Sequence, residues 1–100
     1  MLSIISESEV CREVASRVRT RRLQLNWSQA ELAQRAGVAY STLKLFERTG
    51  RISLERLVMI ASALRALDGF EALLRPPKAS SLAEIEARAT KRQRGRRRAR

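Results

Sequence analysis

The 100-residue sequence predicts an all-α fold of five helices, followed by a short C-terminal helix and a disordered basic tail. Apolar residues recur every three to four positions, and two glycines stand where short helices must end. No stretch alternates apolar and polar residues for long enough to form a strand. With 44% hydrophobic residues, the chain can build one small helical core but not a cleft between two domains.

The first predicted helix runs from Glu7 to about Gln24, with Ser6 or Ser8 as its cap. Its apolar and small residues follow the spacing of an amphipathic helix. They are Val10, Cys11, Val14, Ala15 and Val18. Because free cysteine usually behaves as a small hydrophobic residue, we expect Cys11 to pack as one.

The second helix begins after Ser28, which forms a capping box with Glu31 three residues later. Its narrow apolar seam consists of Leu32, Ala33 and Ala36. Gly37 ends this helix because glycine adopts the left-handed conformation at no steric cost. Ala33 is small, which lets the third helix cross closely, and together with Gly37 it sets the angle between the two helices.

The third helix is predicted from Tyr40 to about Arg48. Leu43 and Phe46 lie one turn apart on its core face, and Val38 fills the space under the preceding turn. Gly50 ends it.

Ser53 caps the fourth helix, and Asp68 caps a short fifth helix. The fourth helix is the most apolar of the chain, with core residues Leu54, Leu57, Val58, Ala61 and Leu64. The fifth continues through Phe70, Leu73 and Leu74. The run Arg75-Pro76-Pro77 ends it, since proline cannot donate the next hydrogen bond. We therefore place a domain at residues 1–75 and a linker, a marginal helix and a tail at residues 76–100.

The C-terminal region has a different composition. Residues 81–89 have a capping box and a thin apolar stripe of Leu82, Ile85 and Ala89, which predicts a short helix. Because so short a helix is marginal in isolation, we expect it to form only when the stripe docks on another surface. The last ten residues contain seven basic side chains and no acid, which predicts a disordered arm that contacts phosphates non-specifically. These side chains are Lys91, Arg92, Arg94, Arg96, Arg97, Arg98 and Arg100.

The formal net charge of +11 makes nucleic acid the expected partner. Residues 1–77 carry a net charge of +4 and residues 78–100 carry +7. The C-terminal tail therefore forms a separate region of concentrated positive charge. One cysteine and no histidine leave no metal site, no catalytic constellation and no cofactor site to propose. No apolar run is long enough to span a membrane, so we expect a cytoplasmic, non-enzymatic protein.

The outward face of the third helix is predicted to read bases in the major groove of DNA. Tyr40, Ser41 and Lys44 share that face, with Thr42 on its flank. Gln29, in the first turn of the second helix, is expected to hold a phosphate. The candidates for further phosphate contacts are Arg17, Arg19, Arg21 and Arg48. The alternative for each is an ordinary solvated surface charge.

Residues 18–65 resemble the lambda-repressor-like helix-turn-helix family, also called XRE, in the motifs Ser28-Gln29, Gly37-Val38 and Ser41-Thr42-Leu43. The resemblance implies a bundle of about five helices and an ion pair between Glu47 and Arg22. It also implies that the Trp27 ring lies near the DNA backbone, whereas a core anchor is the alternative for Trp27.

Two positions depart from the family pattern. Ala39 replaces the usual capping residue before the third helix, which leaves that helix start loose. Leu45 is apolar where the family often has a polar residue, so it is expected to be partly exposed and to meet a partner or a thymine methyl.

The runs 46–55 and 70–78, together with the basic tail, are similar to HipB-type antitoxins. This narrower resemblance implies a dimer that represses its own operon at an inverted repeat and associates with a HipA-type serine/threonine kinase toxin. Three alternatives remain open: a module that mainly inhibits a toxin, an XRE regulator without a toxin, and a general basic nucleic-acid binder.

Overall fold

The computed structural model of the chain describes residues 6–78, 86, 87 and 89. Within them lie five helices and no strand, which confirms the predicted fold class. The helices are α1 (Glu7–Gln24), α2 (Gln29–Ala36), α3 (Tyr40–Thr49), α4 (Leu54–Ala63) and α5 (Asp68–Ala72). None of these helices is long and apolar enough to cross a membrane.

Little of the C-terminal region is described. Glu86, Ala87 and Ala89 are helical and exposed, and they lie inside the predicted C-terminal helix. The remaining residues of 79–100, including the predicted basic tail at 91–100, lie outside the described residues.

The core is formed by α1 to α4 around four fully buried side chains: Leu32, Leu43, Phe46 and Ile60. Ala15 and Val18 complete it from α1, and Ala33 from α2. Val38 and Ala36 pack against this cluster, as predicted. Apart from Cys11 of α1, the first three helices therefore bury or partly bury the residues that their apolar spacing indicates.

Serine side chains begin three of the five helices. Ser6, Ser28 and Ser53 each accept a hydrogen bond from the backbone N–H three residues later, at 3.0 to 3.2 Å. Ala39 precedes α3 and supplies no side-chain hydrogen bond, as expected. The first turn of α3 therefore keeps N–H groups that no capping side chain satisfies.

Every helix is followed by a residue in the left-handed conformation, with φ between +57° and +83°. These residues are Asn26, Gly37, Gly50, Arg65 and Leu74. Gly37 and Gly50 are the glycines that predict the ends of α2 and α3. Asn26 is the other residue type that commonly takes this conformation, whereas Arg65 and Leu74 give no such signal in the sequence.

The prediction for α4 is wrong at Leu54, which is 63% exposed because it is the first residue of the helix. Ile60, absent from the predicted core, is completely buried. The inward stripe of α4 runs through Leu57, Ile60, Ala61 and Leu64, at the i, i+3, i+4, i+7 spacing of a helix.

The predicted cap and end of α5 are also wrong. Asp68 is the first helical residue and not the cap, because Leu67 before it already has helical backbone angles. The helix ends at Ala72, before the prolines, because Leu74 turns into the left-handed region. No residue of α5 is buried.

Two side chains of the other helices also differ from expectation. Cys11 is exposed and does not pack as a core residue. The Glu31 carboxylate accepts hydrogen bonds from Arg35, four residues later in α2. In the predicted capping box, Ser28 therefore caps the helix, while the Glu31 side chain pairs within the helix.

We predict that Gly50→Ala destabilises the fold by more than about 2 kcal/mol. The residue has φ +83°, and an added Cβ would lie 2.8 Å from the backbone carbon of Cys11 and 2.9 Å from the backbone nitrogen of Arg12. Neither backbone atom can move aside without separating α1 from α3. Urea unfolding measures the effect as a lower midpoint at constant slope.

Gly69→Ala is the matched control, because nothing lies within 4 Å of its added Cβ. It should leave stability unchanged or raise it by up to about 1 kcal/mol. Equal unfolding midpoints for the two variants would show that the close approach of Gly50 to α1 does not affect stability.

Candidate nucleic-acid interface

An open groove lies where α1, α2 and α3 meet, with a volume of about 680 Å³. It is lined by Arg19, Arg22, Ser28, Gln29, Ala30, Tyr40, Lys44, Glu47 and Arg48. We call this surface the α3 groove. Each of the three helices contributes to it, so its shape depends on how they are held together.

One buried ion pair holds them. Arg22 of α1 donates from Nε and Nη2 to the two carboxylate oxygens of Glu47 in α3, both at 2.9 Å. The side chains are only 8% and 4% exposed. A bidentate pair of this kind fixes both distance and orientation. Arg22 and Glu47 are the residues for which the resemblance implied an ion pair.

Two further hydrogen bonds join this pair to α2 and to the loop before it. Gln29 donates from Nε2 to Glu47 Oε1 at 3.1 Å, and Arg22 Nη1 donates to the backbone oxygen of Trp27 at 2.8 Å. No buried side-chain polar atom is left without a partner in the described part of the chain. The network therefore positions the start of α2 against α3.

The groove is positively charged despite Glu47. The negative charge of Glu47 is matched by Arg22, whereas Arg19, Lys44 and Arg48 have no carboxylate within 4.0 Å among residues 6–78. Three cations therefore face the groove without an ion-pair partner in the described part of the chain. Such an arrangement attracts a phosphate backbone, and it does so less strongly as salt rises.

The two sides of α3 differ sharply. Leu43 and Phe46 are buried, whereas Tyr40, Ser41 and Lys44 are exposed. The Lys44 ammonium lies 5.8 Å from the centroid of the Tyr40 ring, a separation at which the ring attracts the cation. The outward side chains are thus presented by a helix whose other side is fixed in the core.

Not every predicted DNA contact lies in the groove. Thr42 is half-buried, and two residues of helix place it on the side of α3 away from Tyr40. Arg17 and Arg21 are exposed on the side of α1 opposite the buried Ala15, and Arg17 pairs with Glu13. Their contacts with DNA stay predictions, as does the reading of bases by Ser41.

Trp27 also lies outside the α3 groove. Its ring is half-buried and packs against the core cluster, where Arg35 covers it at 4.3 Å from the ring centroid. This placement agrees with a core anchor, although the ring is not fully enclosed. Leu45 is 42% exposed, in line with its expected partial exposure.

Arg19 lines the α3 groove. The sequence alone does not distinguish it from Arg17, Arg21 and Arg48 as a candidate for phosphate contact. The only distinguishing signal is helical position: Arg19 lies three residues before the buried Arg22 and hence on the adjacent side of α1. Arg17 and Arg21 lie elsewhere on the helix. Ser28 and Ala30 complete the groove beside Gln29.

The sequence of residues 18–68 matches the family described as helix-turn-helix. That segment begins within α1 and ends at the first residue of α5, so it contains α2, α3 and the α3 groove. No curated protein matches the chain.

We predict that Glu47→Gln destabilises the protein by about 3 to 5 kcal/mol. The substitution leaves the guanidinium of Arg22 buried and without its counter-charge. Chemical unfolding measures the loss.

Glu13→Gln is the matched control, because Glu13 pairs with Arg17 on the exposed surface of α1. It should change stability by less than about 1 kcal/mol. Equal losses in the two variants would contradict the role of the buried pair in holding the helices.

Proposed function

The chain belongs to the lambda-repressor-like helix-turn-helix family and is a DNA-binding transcription regulator; we propose that it is a dimeric repressor of an inverted-repeat operator. The α3 groove carries this proposal. It combines an outward helix face, three cations without an ion-pair partner in the described residues and a framework fixed by a buried ion pair. The proposal assigns DNA binding to residues 1–75 and treats residues 76–100 as a linker, a docking helix and a basic tail.

In this proposal α3 enters the major groove. Tyr40, Ser41 and Lys44 contact base edges, with Lys44 suited to guanine O6 and N7. Thr42 and Leu45 flank these contacts. Arg19 and Arg48 meet phosphates on the two sides of the groove, and the first turn of α2 at Gln29 meets another through its N–H groups.

Other cations add affinity without sequence preference. The remaining candidates on the domain contact phosphates beyond the groove; they are Arg17, Arg21 and the neutral Trp27 N–H. The seven basic residues of 91–100 act through charge alone.

Dimerisation is supported by the exposed leucines that flank α5. Leu67, Leu73 and Leu74 are 42%, 53% and 91% exposed, and α5 buries none of its own residues. Several large apolar side chains left exposed in one short segment are typical of an interaction surface. Two copies joined there would present two α3 helices to grooves roughly 34 Å apart.

The finer part of the proposal is a HipB-like antitoxin that represses its own operon and binds a HipA-like kinase. Its support is the similarity of residues 46–55 and 70–78, with the basic tail, to such antitoxins. The alternatives remain a toxin inhibitor that binds DNA only incidentally and a stand-alone XRE regulator.

We predict that Lys44→Ala lowers affinity for an operator selected from random duplexes by about ten- to a hundredfold, with little change for random DNA. Ser41→Ala should reduce the same discrimination. Fluorescence anisotropy at fixed salt, with operator and scrambled duplexes, measures both affinities.

Arg19→Ala and deletion of residues 91–100 are the electrostatic controls. Each change should weaken binding to the operator and to the scrambled duplex by the same factor. Arg19→Ala should also reduce the slope of log affinity against log salt concentration by about 0.9. Equal loss for both duplexes with Lys44→Ala would instead identify a general nucleic-acid binder.

We predict that Leu73→Glu shifts the protein from dimer to monomer in sedimentation equilibrium without unfolding it, since Leu73 lies outside the core. Leu23→Glu, at a 51% exposed position on α1, should leave the dimer intact. A monomeric wild-type protein would contradict the dimer.

We predict that a kinase encoded by the adjacent gene co-purifies with this protein after joint expression. The same kinase should lose activity in the complex. The absence of a kinase-like neighbouring gene would leave a repressor without a toxin.

A further inference from the structure

A second cavity lies on the other side of the α1–α2 loop, between the end of α2 and the end of α4. Its volume is about 440 Å³, and it shares no lining residue with the α3 groove. It is lined by Leu25, Trp27, Arg35, Ala63, Leu64 and Arg65. We call it the Trp27 cavity. Its size falls within the range of roughly 300 to 1,000 Å³ that is common for small-molecule sites.

The floor of the Trp27 cavity is apolar and fixed. Leu64 is 6% exposed, and Ala63 and Trp27 pack against the core cluster. Leu25 forms a more exposed wall. The cavity therefore offers aliphatic side chains to an apolar ligand group, beside a Trp27 ring that Arg35 covers. Leu64 and Ala63 are held by the core and cannot easily collapse into the cavity.

Every polar side-chain group that lines the cavity is a hydrogen-bond donor. Arg35 stacks on the Trp27 ring at 4.3 Å and is held in place by Glu31, at 3.0 and 3.3 Å. Arg65 has no carboxylate within 4.0 Å among the described residues. Within residues 6–78 the indole Nε1 of Trp27 donates no hydrogen bond. No lining side chain offers an acceptor.

We propose that the Trp27 cavity binds a small carboxylic acid with an apolar body. This body lies against Leu64 and Leu25, and the carboxylate accepts charge-assisted hydrogen bonds from Arg65. Arg35 covers the Trp27 ring, so the ring borders the ligand without stacking on it. A phosphate group would meet the same cations but would leave the apolar floor unused. The combination of apolar walls and donors therefore favours a carboxylate with an apolar body over a bare anion.

The cavity is connected to the α3 groove by one chain of hydrogen bonds. The backbone oxygen of Trp27 accepts from Arg22, which holds Glu47, which in turn accepts from Gln29. A ligand that shifts Trp27 therefore acts on the buried pair that shapes the groove. This consequence rests on the proposed function: occupancy of the cavity changes operator affinity, and operator binding changes ligand affinity by the same factor.

The chain contains a single tryptophan, so its fluorescence reports directly on the cavity. The full chain, without DNA, is titrated with phenylacetate, and a saturable change in Trp27 fluorescence is expected. Phenylacetamide, which has the same shape and no charge, should bind at least about tenfold more weakly, and acetate and inorganic phosphate weaker still. Arg65→Gln should lower the affinity for phenylacetate by a similar factor.

Arg12→Gln is the matched control, since Arg12 is an exposed arginine on α1 that lines neither the cavity nor the α3 groove. It should leave the titration unchanged. Circular dichroism establishes that each variant is folded.

The site is refuted by the absence of saturation, by equal binding of the acid and the amide, or by an unchanged titration of Arg65→Gln. Stronger binding of inorganic phosphate would assign the cavity to the DNA backbone instead. Because these titrations contain no DNA, their failure leaves the proposed repressor intact. Operator affinity that is unchanged at saturating phenylacetate would overturn the coupling alone.

Discussion

The buried ion pair between Arg22 and Glu47 is the constraint on which the rest of the molecule depends. It joins α1 to α3 with two hydrogen bonds of 2.9 Å, and Gln29 and the Trp27 carbonyl extend it to α2 and its loop. A buried pair need not add net stability compared with apolar residues, but removing one partner is costly. Its main effect is to hold three helices in one arrangement. It also neutralises the acid that would otherwise repel DNA from the groove.

Because the inner side of α3 is fixed by Leu43 and Phe46, its outer side can present Tyr40 and Lys44 without being part of the core. A different kind of surface lies at α5. The leucines that flank this helix are exposed, and none of its own residues is buried. In the proposed function the first surface reads DNA and the second joins two copies of the chain.

Much of this could be predicted from the sequence, because local signals decide it. Serine caps and glycine ends place α1, α2 and α3 to within one residue, and apolar spacing identifies Leu43 and Phe46. The prediction fails at α5, which ends without a glycine. Leu74 takes the left-handed conformation, so α5 is shorter than its apolar pattern suggests. The Trp27 cavity was not foreseen, since Trp27, Arg35 and Arg65 converge only through tertiary packing.

The α3 groove and the adjoining outer side of α3, which includes Ser41, form the surface that we propose meets DNA. Amide chemical shifts of the uniformly labelled protein, recorded while operator duplex is added, test this residue by residue. We expect the largest shifts at Gln29, Ser41 and Lys44, with α4 residues such as Glu55 and Ser62 nearly unaffected. Shifts concentrated on α4 and α5, with Ser41 and Lys44 unmoved, would contradict it.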